Sequence, residues 1–161
     1  MQENKAVLVK DGEIADVFDR KQIGTEHGYE ILDLSSQYLL PGLIDTHVHC
    51  NLNGETQPFQ KLYVDSPAFI ALYSLPFVQD DLMNGFTTVR DMGSVGLSDI
   101  ALRDSIDSGI HWGPRIFCPG LPINILGGAG DNLFQAPYSG GKQNQVRAIV
   151  NGVDECRQAA R

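Results

Sequence analysis

The stretch PGLIDTHVHC, residues 41–50, carries the pattern on which the interpretation of the chain depends. A Pro-Gly turn precedes an apolar start, and Asp45, His47 and His49 then follow at every second position. Because side chains alternate across a β-strand, a strand over residues 43–50 is predicted to place these three on one face. The opposite face is mostly apolar and suits packing beneath helices.

Two histidines at the end of a strand form a candidate metal site. In open α/β sheets and in barrels, chemistry gathers at the C-terminal ends of the strands. Imidazoles two residues apart can converge on one metal, at about 2.0–2.1 Å per zinc–nitrogen bond. The same spacing also suits an exposed polar edge or a pair of hydrogen-bonded imidazoles, so the motif alone leaves these alternatives open.

Composition indicates a globular chain of ordinary domain size. It has 161 residues, of which 42% are hydrophobic and 20% charged. The formal net charge of −8 argues against nucleic acid or an anionic membrane as the main partner. Three widely separated cysteines favour a reduced, cytoplasmic setting over a disulfide framework. No signal-peptide pattern and no membrane-spanning apolar run is visible, so neither a secretion signal nor a membrane span is expected.

The first forty residues are predicted to form short strands. The runs AVLV (6–9) and IADVF (14–18) flank the turn KDGE, and Asp-Gly between β-type runs indicates a hairpin. The runs YEILDL (29–34) and QYLL (37–40) predict two further strands. We therefore expect this segment to be part of a small β-subdomain.

From residue 41 onward the pattern alternates between strands and helices. The predicted strands are at 43–50, 87–92 and 114–119. Helices are predicted at 66–85, at 98–109, capped by Ser98 and stopped by Gly109, and at 144–161, interrupted near Asn151 and Gly152. A glycine-rich loop is predicted from Leu121 to about Gly141. Pro76 is expected to kink or split the first helix. Such alternation indicates parallel strands with helical crossovers, an α/β fold.

Several segments resemble the amidohydrolase superfamily, which comprises metal-dependent hydrolases built on a TIM-type (β/α)8 barrel. LLPGLIDTHVH resembles its first barrel strand, GFTTVRDMG (85–93) its second, and ALRDSIDSGIHWGPRIFCPGLPI (101–123) its second helix and third strand. LGGAGDN (126–132) resembles a loop of the prolidase-like and imidazolonepropionase-like branch, and VLVKDGEIADV its flanking sandwich. The resemblance implies a partial β-sandwich at 1–40 and, at 41–161, an incomplete barrel containing the first three βα units.

The resemblance also implies a site. His47 and His49 would bind a divalent metal, expected to be zinc, with manganese, iron or cobalt as alternatives. Asp45 would support this strand without binding the metal. Arg90 and Asp91 could line the site from the second strand, although a structural hydrogen-bond network or ion pair is the favoured alternative.

Four other residues are expected to stay outside the chemistry. His27 and His111 are expected to have surface or capping roles, and Cys50 is expected to be an inert buried thiol. Ala129 stands where the branch usually has histidine, so no side-chain contact with substrate is carried over to that loop.

The resemblance implies a small-molecule partner, an amide or dipeptide-like substrate. By this resemblance the chain would use metal-activated water to hydrolyse carbon–nitrogen bonds other than ordinary peptide bonds, or those of dipeptides and N-acyl amino acids. The remaining ligands of the family lie on later strands. We therefore expect the 161-residue chain alone to be inactive, as a fragment or as one piece of a barrel completed by another chain or a second copy. The alternative is a truncated, non-catalytic remnant or an interaction module.

Overall fold

The computed structural model describes residues 3–24, 28–55, 65–128 and 148–161. The chain divides into two compact units, Met1–Pro41 and Gly42–Arg161. Across the described ranges, no helix has both the length and the apolar character needed to cross a lipid bilayer.

The first unit contains a β-hairpin. Strand β1, Lys5–Lys10, pairs antiparallel with strand β2, Glu13–Asp19. Asp11 and Gly12 connect them with φ angles of 52° and 80°. Two successive positive φ angles are what a tight type I′ turn requires, and the twist of that turn matches the twist of the strands. The predicted hairpin is therefore confirmed, and a short 3-10 turn at Arg20–Gln22 follows it.

The strands predicted at 29–34 and 37–40 are wrong. Neither segment joins a sheet, and Ile31 and Leu32 expose 65% and 78% of their surface within the described chain. Their residue types favour β structure, but a strand forms only where another strand pairs with its backbone. Among the described residues of this unit, the sheet consists of β1 and β2.

The second unit begins with alternating strands and helices. In chain order these are β3 Leu43–Val48, α1 Pro67–Met83, β4 Phe86–Asp91, α2 Ser98–Asp107 and β5 Arg115–Phe117. The strands form one parallel sheet in the order β3-β4-β5. Parallel neighbours need a crossover, and each helix supplies one. The predicted α/β fold is confirmed.

A second parallel sheet lies where a loop and a helix were predicted. Strand β6, Ile123–Ile125, pairs with strand β7, Ala148–Val150, and helix α3, Val153–Ala159, follows. The predicted helix at 144–161 is thus wrong over β7, and the predicted loop is wrong over β6. Asn151 and Gly152 separate the β-branched run from the helix, so helical periodicity governs only the residues after them.

Helix α1 continues through Pro76, contrary to the predicted division into two shorter helices. Ile70, Ser74 and Val78 are fully buried at a spacing of four residues, so one continuous face is anchored on both sides of the proline. Pro76 itself is exposed; it lacks the amide that would bond to the carbonyl of Leu72, and its ring crowds that carbonyl. Packing along the helix therefore outweighs the loss of one hydrogen bond.

Helix α2 ends as predicted but begins differently. Gly109 adopts φ 75° just beyond the end of the helix, as a left-handed stop requires. The residue before the helix is Leu97, with φ 64°, and it makes no side-chain cap. Ser98 is the first helical residue, and its buried hydroxyl has no hydrogen-bond partner in the described part of the chain. The prediction that Ser98 caps α2 is therefore wrong.

The core lies between one face of the three-stranded sheet and the helices α1 and α2. Its fully buried members are Cys50, Val78, Val89, Leu102 and Ile116. The other face of the sheet carries apolar side chains that remain exposed, notably Ile44 at 66% and Phe117 at 57%. The two faces of this sheet therefore differ sharply in burial, and the candidate site lies on the exposed one.

Candidate metal site at the end of strand β3

The two histidines project from the open face of the sheet. Their ring centroids are 5.7 Å apart and their planes meet at 76°. Both residues are exposed, whereas Val48 between them packs against the core on the helix-covered side. Both imidazoles are thus presented together at the C-terminal end of β3, as the sequence predicted.

The spacing of the rings fits shared coordination of one metal ion. With bonds of about 2.0–2.1 Å, and a nitrogen roughly 1.1 Å from the ring centre, two imidazoles on one tetrahedral metal have centroids about 5 Å apart. The observed 5.7 Å is within a small side-chain rotation of that value. Within the described ranges, however, His, Cys, Asp and Glu side chains form no group of three that could hold a metal. The pair supplies two of the three protein ligands normal for catalytic zinc.

Asp45 lies on the opposite face from the histidines, contrary to the prediction. It pairs with the buried Val89 of β4, whereas Val48 pairs with Asp91. Three steps along β3 therefore match two steps along β4, which is the register of a β-bulge. The extra residue breaks the strict alternation assumed from the sequence.

The surroundings of Asp45 agree with this placement. Its carboxylate accepts a hydrogen bond from the backbone amide of His47 at 2.9 Å. Burial raises the pKa of Asp81 on α1, and the nearby negative charges of Asp45 and Asp80 raise it further. Asp45 therefore faces α1 while its carboxylate reaches the backbone of the histidine segment.

Arg90 and Asp91 occupy opposite faces of β4. Asp91 is fully buried, and its carboxylate accepts hydrogen bonds from the Gly93 amide at 2.9 Å and from the Ser94 hydroxyl at 2.6 Å. These bonds organise the turn after β4. Arg90 is exposed, and its side chain forms no hydrogen bond or ion pair with the described part of the chain. A site-lining role for these two residues stays a prediction.

Sequence reasoning missed the buried carboxyl of Asp99. One of its oxygens accepts the Gly120 amide at 3.1 Å, and the other has no partner within the described residues. Burial is the main cause that raises the pKa of Asp99 above its ordinary value. Its only sequence signal was an acidic residue in the first turn of a helix, which usually indicates an exposed interaction with the helix dipole.

The two described inner cysteines are shielded thiols. Burial, with the nearby charge of Asp99, raises the pKa of Cys118 to about 12. Cys50 is 3% exposed, and burial together with the charge of Asp91 raises its thiol pKa even more. The thiolate is the form that reacts and binds metal, so a raised thiol pKa makes both cysteines unreactive near neutral pH. The prediction that Cys50 is buried is confirmed.

The loop after the histidine pair is tied to α1 by a polar cluster that the sequence did not reveal. The Tyr73 hydroxyl donates to the carboxylate of Glu55 at 2.8 Å, and the Asn53 amide donates to the same carboxylate at 2.6 Å. His111 is half-buried in the turn before β5. His27 and Ala129 lie outside the described residues.

The chain matches the amidohydrolase family over residues 38–161. This match covers well over half of its length, so the chain belongs to the amidohydrolase family. Members of this family generally bind divalent metals.

Solved structures of related proteins agree with this assignment. A prolidase complexed with N-methylphosphonate-L-proline is 27% identical, has a TM-score of 0.76, and is matched over 96% of this chain and 38% of its own. A Xaa-Pro dipeptidase with bound methionine is 31% identical, has a TM-score of 0.72, and is matched over 91% of this chain and 36% of its own. An adenine deaminase of Dehalococcoides mccartyi is 49% identical over 47 residues, 29% of this chain and 7% of the deaminase. The chain thus spans little more than a third of these solved structures.

Proposed function

We propose that this chain forms the first part of the catalytic barrel of a metal-dependent amidohydrolase. The observation that supports this most directly is the pair of exposed imidazoles, 5.7 Å apart, at the C-terminal end of a parallel strand. Active sites of (β/α)8 barrels are built at that end of the strands. The described elements from β3 to β5 would then be the first βα units of the barrel, and the hairpin would belong to a small flanking sandwich.

In this proposal the residues have separate tasks. His47 and His49 hold a divalent metal, with zinc as the expected ion because imidazole suits it. The metal would supply a Lewis acid that lowers the pKa of bound water to about 7 and polarises a carbonyl group. Arg90 is exposed on the same face as the histidines and can line the substrate space. Further metal ligands come from elements other than those described.

The expected substrates are dipeptides or N-acyl amino acids. Two structural relatives named as a prolidase and a Xaa-Pro dipeptidase are matched over more than nine-tenths of this chain. The deaminase similarity covers only 29% of the chain. The longer matches therefore favour hydrolysis of a carbon–nitrogen bond in a small acyl amino acid over deamination of a nucleobase.

Metal binding tests the site directly. Titration of the purified chain with Co²⁺, followed by visible absorption, is expected to show one bound ion. His47→Ala and His49→Ala should each lower the affinity at least about tenfold, because each removes one of two ligands. His111→Ala is the matched control and should leave the affinity unchanged. Equal Co²⁺ affinity in all four proteins would remove the basis of the proposal.

Activity is tested on the product of the whole reading frame. That protein is expected to hydrolyse Xaa-Pro dipeptides, and His47→Ala should lower kcat/KM by more than about a hundredfold, since metal polarisation is worth several kcal/mol. An unaltered rate in the variant would contradict the assignment of His47.

A second candidate is a non-catalytic module that pairs with another chain. The exposed Ile44 and Phe117 on the open face of the sheet favour it, because parallel sheets are normally covered on both faces. Sequencing of the DNA that follows the codon of Arg161 separates the two. Codons for a lysine or glutamate, two histidines and a late aspartate support the hydrolase, and a stop codon supports the module.

A further inference from the structure

Asp45 holds an unusual position, because it sits within the histidine motif but faces away from the histidines. The register of β3 against β4 changes between Asp45 and Val48. On an unbroken strand, residues two apart share a face, so His47 and His49 would then follow Asp45 to the helix-covered side. The bulge places the histidines on the open face instead, since a shift of one residue moves every later side chain to the other face of the sheet.

The reversal suits the residues that follow. Val48 and Cys50 enter the apolar core, and both imidazoles are left on the open face. Without the bulge, two polar rings would replace Val48 and Cys50 beneath α1 and α2. The bulge therefore makes the two imidazoles accessible to a ligand.

A bulge has a cost that Asp45 can offset. The extra residue leaves a backbone amide outside the regular ladder, and that amide needs another acceptor. The amide of His47 donates instead to the Asp45 carboxylate at 2.9 Å. A short acidic side chain two residues before the amide is well suited to this bond, as in other Asx turns.

We propose that Asp45 is a positioning residue that stabilises the bulge of β3 and thereby presents His47 and His49 together on the open face. It acts on the backbone and not on the imidazole rings. The metal-binding consequence rests on the proposed function, whereas the effect on the geometry of β3 does not.

Three substitutions separate the hydrogen bond from the charge. Asp45→Asn keeps an acceptor oxygen in place and loses the charge. Asp45→Glu keeps the charge but moves the carboxylate by one methylene, and Asp45→Ala removes both. The matched control is Asp33→Ala in the first unit, where the carboxylate of Asp33 accepts the Ser35 amide at 3.0 Å with the same two-residue separation.

The first measurement uses the metal-free chain. Hydrogen exchange of the His47 amide and nuclear Overhauser contacts between the two imidazoles are recorded by NMR. Asp45→Asn and Asp33→Ala should match the wild type. Asp45→Glu and Asp45→Ala should exchange the His47 amide at least about tenfold faster and lose the ring-to-ring contacts, as expected when a bond worth about 1.4 kcal/mol is removed.

The second measurement is Co²⁺ affinity of the same proteins. Asp45→Glu and Asp45→Ala are expected to bind about tenfold more weakly, the usual effect of losing a group that orients a metal ligand. Retained ring contacts and slow His47 exchange in Asp45→Ala or Asp45→Glu would overturn the proposal. Equal damage in Asp45→Asn would also overturn it, because the charge and not the bond would then be responsible. A wild-type chain that binds no Co²⁺ counts against the proposed function, while the NMR result still decides the role of Asp45.

Discussion

At the scale of single residues, three aspartate carboxylates hold the backbone in and after the strands by accepting amide hydrogen bonds. Asp45 accepts the amide of His47, Asp91 accepts that of Gly93, and Asp99 accepts that of Gly120. Each bond satisfies a donor where the chain leaves a strand or nears a bulge. Asp99 differs from the others because its second oxygen is buried without a partner in the described residues, so its ionisation should be costly.

The pH dependence of stability should reveal the ionisation of Asp99. Burial raises its pKa in the folded chain above the ordinary value of 3.8, so the folded chain holds the proton more tightly than the unfolded chain. Stability from this group is fully present below the unfolded pKa and is lost as pH rises through the raised folded pKa. Asp99→Asn keeps an acceptor for the Gly120 amide and cannot ionise.

We therefore expect Asp99→Asn to melt above the wild type at about pH 7, with the difference shrinking toward about pH 4. Thermal unfolding followed by circular dichroism at several pH values measures this. Asp107→Asn, at an exposed position of the same helix, is the control and should not show the same trend. A melting difference that does not vary with pH would show that Asp99 does not ionise in this range.

At the scale of elements, helix α1 contains two prolines in very different positions. Pro67 is the first residue of the helix, where a missing amide costs little because the helix has no carbonyl four residues earlier to accept it. Pro76 is in the middle, where it removes a hydrogen bond and crowds the preceding turn. The buried face formed by Ile70, Ser74 and Val78 keeps the helix continuous across it.

Replacing each proline with alanine tests this account. Pro76→Ala should stabilise the chain by about 1–3 kcal/mol, because it restores the amide and relieves the crowding. Pro67→Ala should be neutral or slightly destabilising, since it only increases the freedom of the unfolded chain. Urea unfolding midpoints measure both. Destabilisation by Pro76→Ala would mean that the proline is built into the packing of α1.

At the scale of the second unit, the described elements cover only one of the two faces of the three-stranded sheet. Val89 and Ile116 are buried beneath the helices, whereas Ile44 and Phe117 on the other face are largely exposed. Parallel sheets are normally covered on both sides, and the described elements leave this face open. The family barrel would cover it, as the proposed function requires.

The open face should bind an apolar fluorescent dye. The double substitution Ile44→Lys with Phe117→Lys is expected to lower dye fluorescence by about half or more, because it replaces two exposed apolar side chains of this face with charged ones. Leu72→Lys is the matched control, since Leu72 is 68% exposed but lies on α1. Equal loss in the control, or no loss in the double variant, would indicate that the dye binds elsewhere.

The order of strands and helices from β3 to β5 could be predicted from the sequence because each element has its own local signal. Apolar runs, a Pro-Gly turn and Gly109 all act through the residues beside them. The histidine pair could be predicted for the same reason. Strand β7 could not, because its short run becomes a strand only by pairing with β6, more than twenty residues earlier.

The sequence by itself determined that two imidazoles stand together at the end of a parallel strand in an amidohydrolase chain. Only the tertiary structure decided which face they occupy. The alternation of side chains along β3 is interrupted by a bulge, and that bulge is defined by the pairing of β3 with β4. It also decided that α1 runs through Pro76 and that residues 29–40 form no strand. In each case the outcome depends on contacts between segments that are distant in the chain. The residue types of one segment alone do not predict those contacts.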